Sequence, residues 1–227
     1  KVSETFIVSN ILLAIKNDFE VCIYADKYLG LKNSSQKLQL EKFNVESKVI
    51  YPNQQKKEDS TFAKIRKSIF AICNFRVLKF ALIYYHTYKY IDFRVLMSLK
   101  HYSNFKSTTT HVHFNPAIES LIKLVEIGFI KSKFLITFHG YDAFLETKDS
   151  FQSKYGNFYK NVYCVTSNSQ YLKEQILKLG VPKEKIKIIP MGIDTSKFDG
   201  RTKCINNKNQ IKLITVGRLI QLKGQTY

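Results

Sequence analysis

Apolar residues along this chain fall into two alternating patterns, short continuous runs and longer one-sided stripes. The short runs predict strands at residues 21–25, 49–51, 109–113, 134–138, 162–166, 186–189 and 211–216. The stripes predict helices over residues 5–16, much of 61–106, 115–128 and 167–180. Short apolar strands that alternate with amphipathic helices are typical of a parallel sheet with helices on both faces. The predicted fold class is therefore α/β, Rossmann-like, with a parallel sheet.

The ends of the predicted helices carry local signals of their own. Ser3 is placed to cap the first helix, and Asn115 followed by Pro116 predicts an N-cap and a first helical position. Gly180 is typical of the residue that follows a helix, because glycine tolerates the left-handed backbone needed there.

Polar residues that directly follow strands are the first candidates for a site. In a parallel sheet covered by helices, ligands bind at the carboxyl ends of the strands. The residues in this position are His113, His139, Asp142 and Arg218.

Charge narrows the range of partners. The 227 residues include 36 Lys and Arg against 18 Asp and Glu, which gives a formal net charge of +18 at pH 7. Such an excess favours an anionic partner, which could be nucleic acid, an anionic membrane or a phosphate-bearing ligand. The alternative is drift in composition, because the chain is also rich in Ile, Asn, Tyr and Phe and surface lysines accumulate in such proteins without a function. A hydrophobic content of 44% excludes an intrinsically disordered chain. The four cysteines are scattered without a Cys-x-x-Cys pair, which is typical of buried thiols in a reducing compartment. We expect a cytoplasmic protein.

The segment His139-Gly140-Tyr141-Asp142 follows a predicted buried strand. An imidazole here can donate a hydrogen bond to a sugar hydroxyl or a phosphate, and Asp142 can orient it or bind a hydroxyl itself. His139 and Asp142 are therefore the candidate catalytic residues. The alternative is a strand-end histidine whose hydrogen bonds are satisfied by backbone carbonyls.

A second candidate site follows the last predicted strand, where Gly217 and Arg218 precede Lys223. Glycine lets the backbone approach a ligand, arginine binds phosphate oxygens through two hydrogen bonds, and lysine adds a point charge. Together they could neutralise a diphosphate leaving group as its charge develops. The alternative is an ordinary surface turn.

His111 and His113 flank Val112 on a predicted strand. We expect their imidazoles to face opposite sides of the sheet, so that they do not both ligate one metal ion. His113 lies nearer to the strand end and is the stronger site candidate.

Positive charge and aromatic side chains are combined between residues 64 and 106. The single acid there is Asp92, and the basic residues are Lys64, Arg66, Lys67, Arg76, Lys79, Lys89, Arg94, Lys100 and Lys106. A basic, aromatic, helical pattern is typical of binding to an anionic membrane surface, which we assign to the first five of these residues. Two alternatives are core helices with solvated lysines and nucleic-acid binding through stacked aromatics. No nucleic-acid recognition module is visible, which favours the membrane.

Several stretches, taken in order, resemble glycosyltransferase family 4, whose members have the two-domain GT-B architecture. They are SETFI at residues 3–7, HVHF at 111–114, LITFHGYDAF at 135–144, VTSNSQYLKEQILKLGVPKEKIKIIPMGID at 165–194 and VGRLIQLKG at 216–224. The SETFI and MGID variants look most like enzymes of bacterial exopolysaccharide assembly, such as the colanic acid branch.

The resemblance implies an amino-terminal domain that binds the acceptor and a carboxy-terminal domain that binds a nucleotide-diphosphate sugar. Transfer would retain the configuration of the anomeric carbon and would need no metal or other cofactor. Arg218 and Lys223 would bind the diphosphate, and His139 would face the donor sugar. The residues implied on the acceptor side are Ser3, Glu4, Thr5 and His113. The basic helices would hold the enzyme on the inner face of the plasma membrane, near a lipid-linked acceptor.

The resemblance also predicts a domain organisation. Residues 1–194 would form the acceptor-side domain without its first strand, residues 195–209 a linker, and residues 210–227 the start of the nucleotide-sugar domain with its first strand. The paired glutamates of the family, Glu-x7-Glu, are expected beyond residue 227. We therefore expect a fragment that does not transfer sugar by itself. The alternatives are a nucleic-acid-binding basic protein and a non-catalytic GT-B relative.

Overall fold

The computed structural model describes residues 5–25, 34, 36–51, 61–192, 195, 214–217 and 224. The chain divides into two compact units, Lys1–Met191 and Gly192–Tyr227, and most described residues belong to the first. In the second unit, residues 214–216 are exposed and are not part of a strand. The rest of the strand predicted at 211–216 lies outside the described residues. The predicted linker and domain boundaries stay predictions.

Helices and short strands alternate along the first unit. The described helices are α1 (Thr5–Lys16), α2 (Lys37–Lys42), α3 (Thr61–Ile72), α4 (Phe75–Tyr88), α5 (Phe93–His101), α6 (Glu119–Glu126), α7 (Lys148–Asn161) and α8 (Gln170–Lys178). The strands are β1 (Ile23–Tyr24), β2 (Val49–Ile50), β3 (Thr109–His113), β4 (Lys133–Thr137), β5 (Cys164–Ser167) and β6 (Ile186–Ile188). Short 3-10 helices span Val45–Lys48, Asn115–Ile118, Tyr141–Ala143 and Lys183–Lys185.

The described strands pair in parallel throughout. β1 pairs with β2, and β3, β4, β5 and β6 form a second sheet in that order. In the register of this sheet, His113 lies beside Thr137, and Thr137 lies beside Thr166. The carboxyl ends of three neighbouring strands therefore meet at one edge. The predicted α/β class, with parallel sheets flanked by helices, is confirmed.

The main hydrophobic core lies between the four-stranded sheet and the helices of the first unit. Ile136 on β4 and Val165 on β5 are fully buried, as are Val77 on α4 and Leu99 on α5. Full burial of a side chain of this size contributes about 1.5–3 kcal/mol. A separate, smaller core joins α1 to α2 through Leu12, Leu40 and Val45.

Helix α7 is not predicted from the sequence. Its buried residues are Phe151, Tyr155, Gly156, Phe158 and Tyr159, and the aromatic ones follow the spacing i, i+4, i+7 and i+8 of one helix face. Three of these five residues, two tyrosines and a glycine, are not strongly hydrophobic. The buried face of α7 therefore does not stand out in the sequence as an apolar stripe. Thr147 caps the helix and accepts a hydrogen bond from the Ser150 amide at 3.3 Å.

The start of the helix predicted from Asn115 needs a correction. The segment begins as the 3-10 helix Asn115–Ile118 and continues as α6, with Pro116 in the first turn as predicted. The cap position is held by Phe114, whose φ of 71° is unusual for a residue other than glycine. Asn115 is not the cap, because its side chain accepts a hydrogen bond from Tyr159 instead.

Arg76 also differs from its prediction as a membrane-surface residue. Its guanidinium donates to the carbonyl of Ser103 at 2.7 Å and to that of Phe129 at 2.9 Å, and it stacks over the Phe129 ring at 4.7 Å. Because its donors are used inside the fold, Arg76 ties α4 to the segments before β3 and β4. Arg76 is therefore not available to bind a membrane surface, and the prediction is corrected for this residue.

Candidate functional site

The histidines of β3 lie on one face of the sheet. The rings of His111 and His113 are 4.1 Å apart between centroids, so the prediction that they face opposite sides is wrong. Successive side chains of a strand alternate between faces, and residues two apart therefore share one. Val112, between them, is the residue that points into the core.

His113 and His139 form the centre of the candidate site. His113 Nδ1 lies 3.0 Å from His139 Nε2, and the rings stack with centroids 5.3 Å apart. A hydrogen bond between two imidazoles needs a donor nitrogen on one and an acceptor nitrogen on the other. The tautomers of the two rings are therefore coupled, because only one of these two nitrogens carries the shared proton.

Two phenylalanines hold the His139 ring in place. The Phe6 ring, at the start of α1, and the Phe114 ring, directly after β3, each lie 4.5 Å from it between centroids. Rings at this distance contribute about 0.5–1.5 kcal/mol per pair beyond their buried area. The imidazole is therefore confined by stacking and by the hydrogen bond from β3.

Partial burial shifts the histidines of β3 toward their uncharged form. Burial, and then the charges of His111 and His139, lower the pKa of His113 to about 3. Burial and then the charge of His139 also lower the pKa of His111. At neutral pH, His113 is a neutral imidazole that donates through one nitrogen and accepts through the other.

The Asp142 carboxylate binds backbone rather than the imidazole of His139. Its Oδ1 accepts from the amides of His139 at 2.9 Å and Gly140 at 3.0 Å, and its Oδ2 accepts from the amide of Asn115 at 3.1 Å. The side chain is buried, with 3% of its surface exposed. Asp142 therefore joins the loop after β4 to the loop after β3 and positions His139 through its backbone.

Gly140 permits this loop geometry. Its φ of 120° and ψ of −80° lie in a region that residues with a Cβ rarely adopt. This backbone turns both neighbouring amides toward the single oxygen of Asp142. A larger residue at position 140 would be strained although no atom lies close to its Cβ.

Two tyrosines of α7 support the loops through hydrogen bonds. Tyr159 donates to Asn115 Oδ1 at 2.7 Å, and Tyr155 donates to Glu119 Oε1 at 2.6 Å. Burial and then the charge of Asp142 raise the pKa of Tyr159 well above its usual value. The hydroxyl of Tyr159 thus stays protonated and remains a donor, which keeps Asn115 in place.

A polar chain runs across the sheet beside the histidine pair. His111 Nε2 lies 2.7 Å from Thr137 Oγ1, which lies 2.7 Å from Thr166 Oγ1. These side chains come from β3, β4 and β5. The edge therefore offers hydroxyl and imidazole groups on fixed strands, an arrangement suited to hydrogen bonding with a hydroxylated ligand.

The structure brings some of the predicted site residues together and leaves others untested. His113 and His139 are in contact, and Thr5 precedes the Phe6 that stacks on His139. Gly217 is exposed in the second unit. Four predicted site residues lie outside the described residues: Ser3, Glu4, Arg218 and Lys223.

Four residues of this edge are missing from the predicted site: Phe6, Phe114, Asn115 and Thr137. Phe114, Asn115 and Thr137 sit at strand ends, so the rule that selects His113 and His139 could have selected them too. Phe6 carries no such signal, because its place in an apolar helix face predicts a core residue.

We expect acidification to destabilise the protein partly through His113. Its pKa is about 3 in the folded chain and about 6.5, the ordinary value of a histidine, in the unfolded chain. The unfolded chain therefore binds more protons between these values, and stability falls as the pH drops from 6.5 toward 3. In His113→Gln, which cannot take up this proton, the stability lost between pH 7 and pH 4 should shrink by about 1–2 kcal/mol after allowance for solvent screening. Urea unfolding at a series of pH values measures this.

The matched control for this variant is His86→Gln, since His86 is an exposed histidine on α4. Its pH profile of stability should follow that of the unchanged protein. If the stability lost between pH 7 and pH 4 is the same with and without His113, then His113 is not buried as an uncharged group.

The family comparison covers the whole of this site except the start of α1. Residues 16–197 match the family model of Glycosyltransferase Family 4. The matched range contains β3, β4 and β5 and both loops that Asp142 joins. No solved structure matches the chain.

Curated relatives are similar over part of the chain. A protein named as a colanic acid biosynthesis glycosyltransferase, WcaL, of Escherichia coli K12 is 29% identical over 121 residues, which is 53% of this chain and 30% of the relative. Its namesake in Salmonella typhimurium is 28% identical over 113 residues, 49% of this chain and 28% of the relative. An uncharacterised glycosyltransferase of Methanocaldococcus jannaschii, MJ1069, is 30% identical over 160 residues, 65% of this chain and 37% of the relative. The matched stretches thus span about a third of each relative's length.

Proposed function

Since this chain belongs to glycosyltransferase family 4, we propose that the whole protein transfers a sugar from a nucleotide-diphosphate sugar to a glycan acceptor. The observation that carries the proposal is the family match across residues 16–197, which includes the histidine pair and its supporting loops. The relatives named for colanic acid biosynthesis support a cell-surface polysaccharide as the class of product.

In the proposed reaction, the bond between the anomeric carbon and the diphosphate breaks and a bond to an acceptor oxygen forms with the same configuration. The proton of the acceptor hydroxyl passes to the leaving diphosphate. His139 hydrogen-bonds to a hydroxyl of the donor sugar, because its ring lies at the sheet edge where ligands of parallel sheets bind. His113 holds the Nε2 side of this ring, and Asp142 keeps its backbone in place. Binding strengthened as charge develops on the sugar would speed the reaction.

The leaving diphosphate would be stabilised by Arg218 and Lys223, next to Gly217. Two fixed cations can balance the developing charge, and for this reason we propose a reaction without a metal ion or other cofactor. On the acceptor side we propose Ser3, Glu4 and Thr5, since the neighbouring Phe6 contacts His139. A lipid-linked glycan is the proposed acceptor.

The test is sugar transfer by the whole protein. It is incubated with a panel of radiolabelled nucleotide-diphosphate sugars and a solvent extract of lipid-linked glycans, with and without EDTA. We expect label in the lipid fraction for one donor, an unchanged rate with EDTA, and the donor's anomeric configuration in the product by NMR. Loss of transfer with EDTA would overturn the metal-free reaction, and inversion would overturn retention. A folded protein that transfers no sugar from any donor would be a non-catalytic relative.

A further inference from the structure

Helices α3 and α4 expose two continuous apolar stripes. The stripe on α3 consists of Phe62, Ile65 and Ile69, and the stripe on α4 consists of Phe75, Leu78, Leu82 and Tyr85, all of them exposed. Phe62 is 76% exposed and Phe75 80% exposed. Members of each stripe are three and four residues apart, so each forms one face of its helix.

The opposite face of α4 is already used by the core. Val77, Ala81 and Tyr84 are buried there. Packing within the first unit therefore does not explain why the exposed stripe is apolar. A helix that is apolar on both faces is normally covered on both. Contiguous exposed apolar surface of this kind marks a protein or membrane interaction site.

Basic side chains surround the stripes. Lys64, Arg66 and Lys79 are exposed beside them. Between residues 61 and 106 the only acid is Asp92 against nine basic residues. Asp92 is held as the cap of α5, where it accepts from the Val95 amide at 2.9 Å. The surface around the stripes is therefore strongly positive.

The two helices bend sharply where they meet. In the part of the chain that the structure describes, no single helix has the length and apolar character needed to cross a bilayer. The pair α3 and α4 meets those criteria together, by length and composition, but is bent by 106°. Asn74 starts α4 afresh at this bend by accepting a hydrogen bond from the Val77 amide at 3.2 Å.

We propose that the exposed stripes of α3 and α4, with their basic rim, dock on the surface of an anionic lipid bilayer. The apolar side chains enter the boundary between headgroups and acyl chains, and Lys64, Arg66 and Lys79 pair with lipid phosphates. In the cell this surface faces the anionic inner leaflet of the plasma membrane. The docking does not depend on the transferase reaction.

Charge and side-chain chemistry favour an anionic bilayer over a second copy of the chain or nucleic acid as the partner of the stripes. A second copy would bring another strongly positive rim against the first, and like charges that face each other oppose association. Nucleic acid would satisfy the charge, but bases stack on aromatic rings, and Ile65, Ile69, Leu78 and Leu82 offer none. An anionic bilayer satisfies the charge and the aliphatic side chains together.

The test uses vesicles of neutral phosphatidylcholine, with or without a 30% share of phosphatidylglycerol, and the whole protein. The 227 residues contain no tryptophan. Once any tryptophan elsewhere in the whole protein is replaced by phenylalanine, Phe75→Trp provides a reporter of depth for this surface and Tyr171→Trp, at an exposed site on α8, a matched control. We expect blue-shifted emission and quenching by brominated lipid only at position 75, with roughly tenfold or tighter binding to the anionic vesicles, weakened by salt.

Two sets of substitutions separate charge from apolar contact. Lys64→Gln with Arg66→Gln and Lys79→Gln should weaken binding to anionic vesicles about tenfold or more, and Phe62→Ser with Leu82→Ser should remove the residual binding. The same number of changes at exposed Lys178, Lys183 and Lys187 should have little effect. Equal binding to neutral and anionic vesicles would overturn the proposal. So would a protein that ignores both vesicles but binds single-stranded DNA, or dimerises, through these residues.

Discussion

Replacing Asp142 by alanine is expected to lower the free energy of unfolding by about 3–5 kcal/mol. The substitution leaves the amides of His139, Gly140 and Asn115 without their acceptor in a buried position. An unsatisfied buried donor costs about 1–3 kcal/mol, and more when its lost partner was charged. Urea unfolding monitored by circular dichroism measures the loss.

Three further measurements test this expectation. Asp142→Asn retains one oxygen for His139 and Gly140 but turns an amide donor toward the Asn115 N–H, so about half of the loss should remain. Formate, which has the shape of the missing carboxylate, should restore part of the stability of Asp142→Ala. Asp149→Ala, at an exposed site in the first turn of α7, should change stability by about 0.5 kcal/mol. A loss below about 1 kcal/mol in Asp142→Ala would show that water replaces the carboxylate.

The largest loss of activity is expected for His139→Phe in the whole protein. Phenylalanine can stack between Phe6 and Phe114 as the imidazole does, but it offers no hydrogen bond to a sugar. Removing one hydrogen-bonding group that acts mainly in the transition state costs about 10²–10³ in kcat. We expect a loss of this size in kcat with a small change in KM, measured by label transfer under saturating donor.

His86→Phe, on the surface of α4, is the matched control and should keep full activity. Thermal unfolding of both variants shows whether the substitution at position 139 acts on the reaction or on the fold. A kcat of His139→Phe within tenfold of the unchanged protein would remove His139 from the reaction.

The elements that the sequence predicts well are those with one clear period. The bounds of α1 and β3 match their predictions, because α1 has an unbroken apolar face and β3 a short run bounded by polar residues. Helix α7 is not predicted, since much of its buried face is made of tyrosine and glycine. The predicted helical stretch from residue 61 is three helices, because Asn74 and Asp92 each start a new helix by capping it.

The sequence predicts where the residues of the candidate site lie in the sheet, but it does not predict which atoms they contact. The strand-end rule finds His113 and His139, and parallel register brings them together. The partners of Asp142 could not be predicted, because they are backbone amides, one of them from Asn115, 27 residues earlier. His111 and His113 are two residues apart on a strand, and residues at this spacing share a face. The prediction that they face opposite sides was wrong because it treated them as neighbours in the alternation.

Asp142 also determines which ligands this edge of the sheet can bind. Backbone amides that converge on one point form the kind of nest that captures phosphate in many nucleotide-binding loops. Here the protein fills the nest with its own carboxylate, which is tethered and therefore outcompetes a free anion at any ordinary concentration. The amides of His139, Gly140 and Asn115 are therefore not available to a phosphate group. In the proposed reaction, the phosphates of the donor would therefore be bound by other residues, so that recognition of the sugar and recognition of the phosphates could change independently.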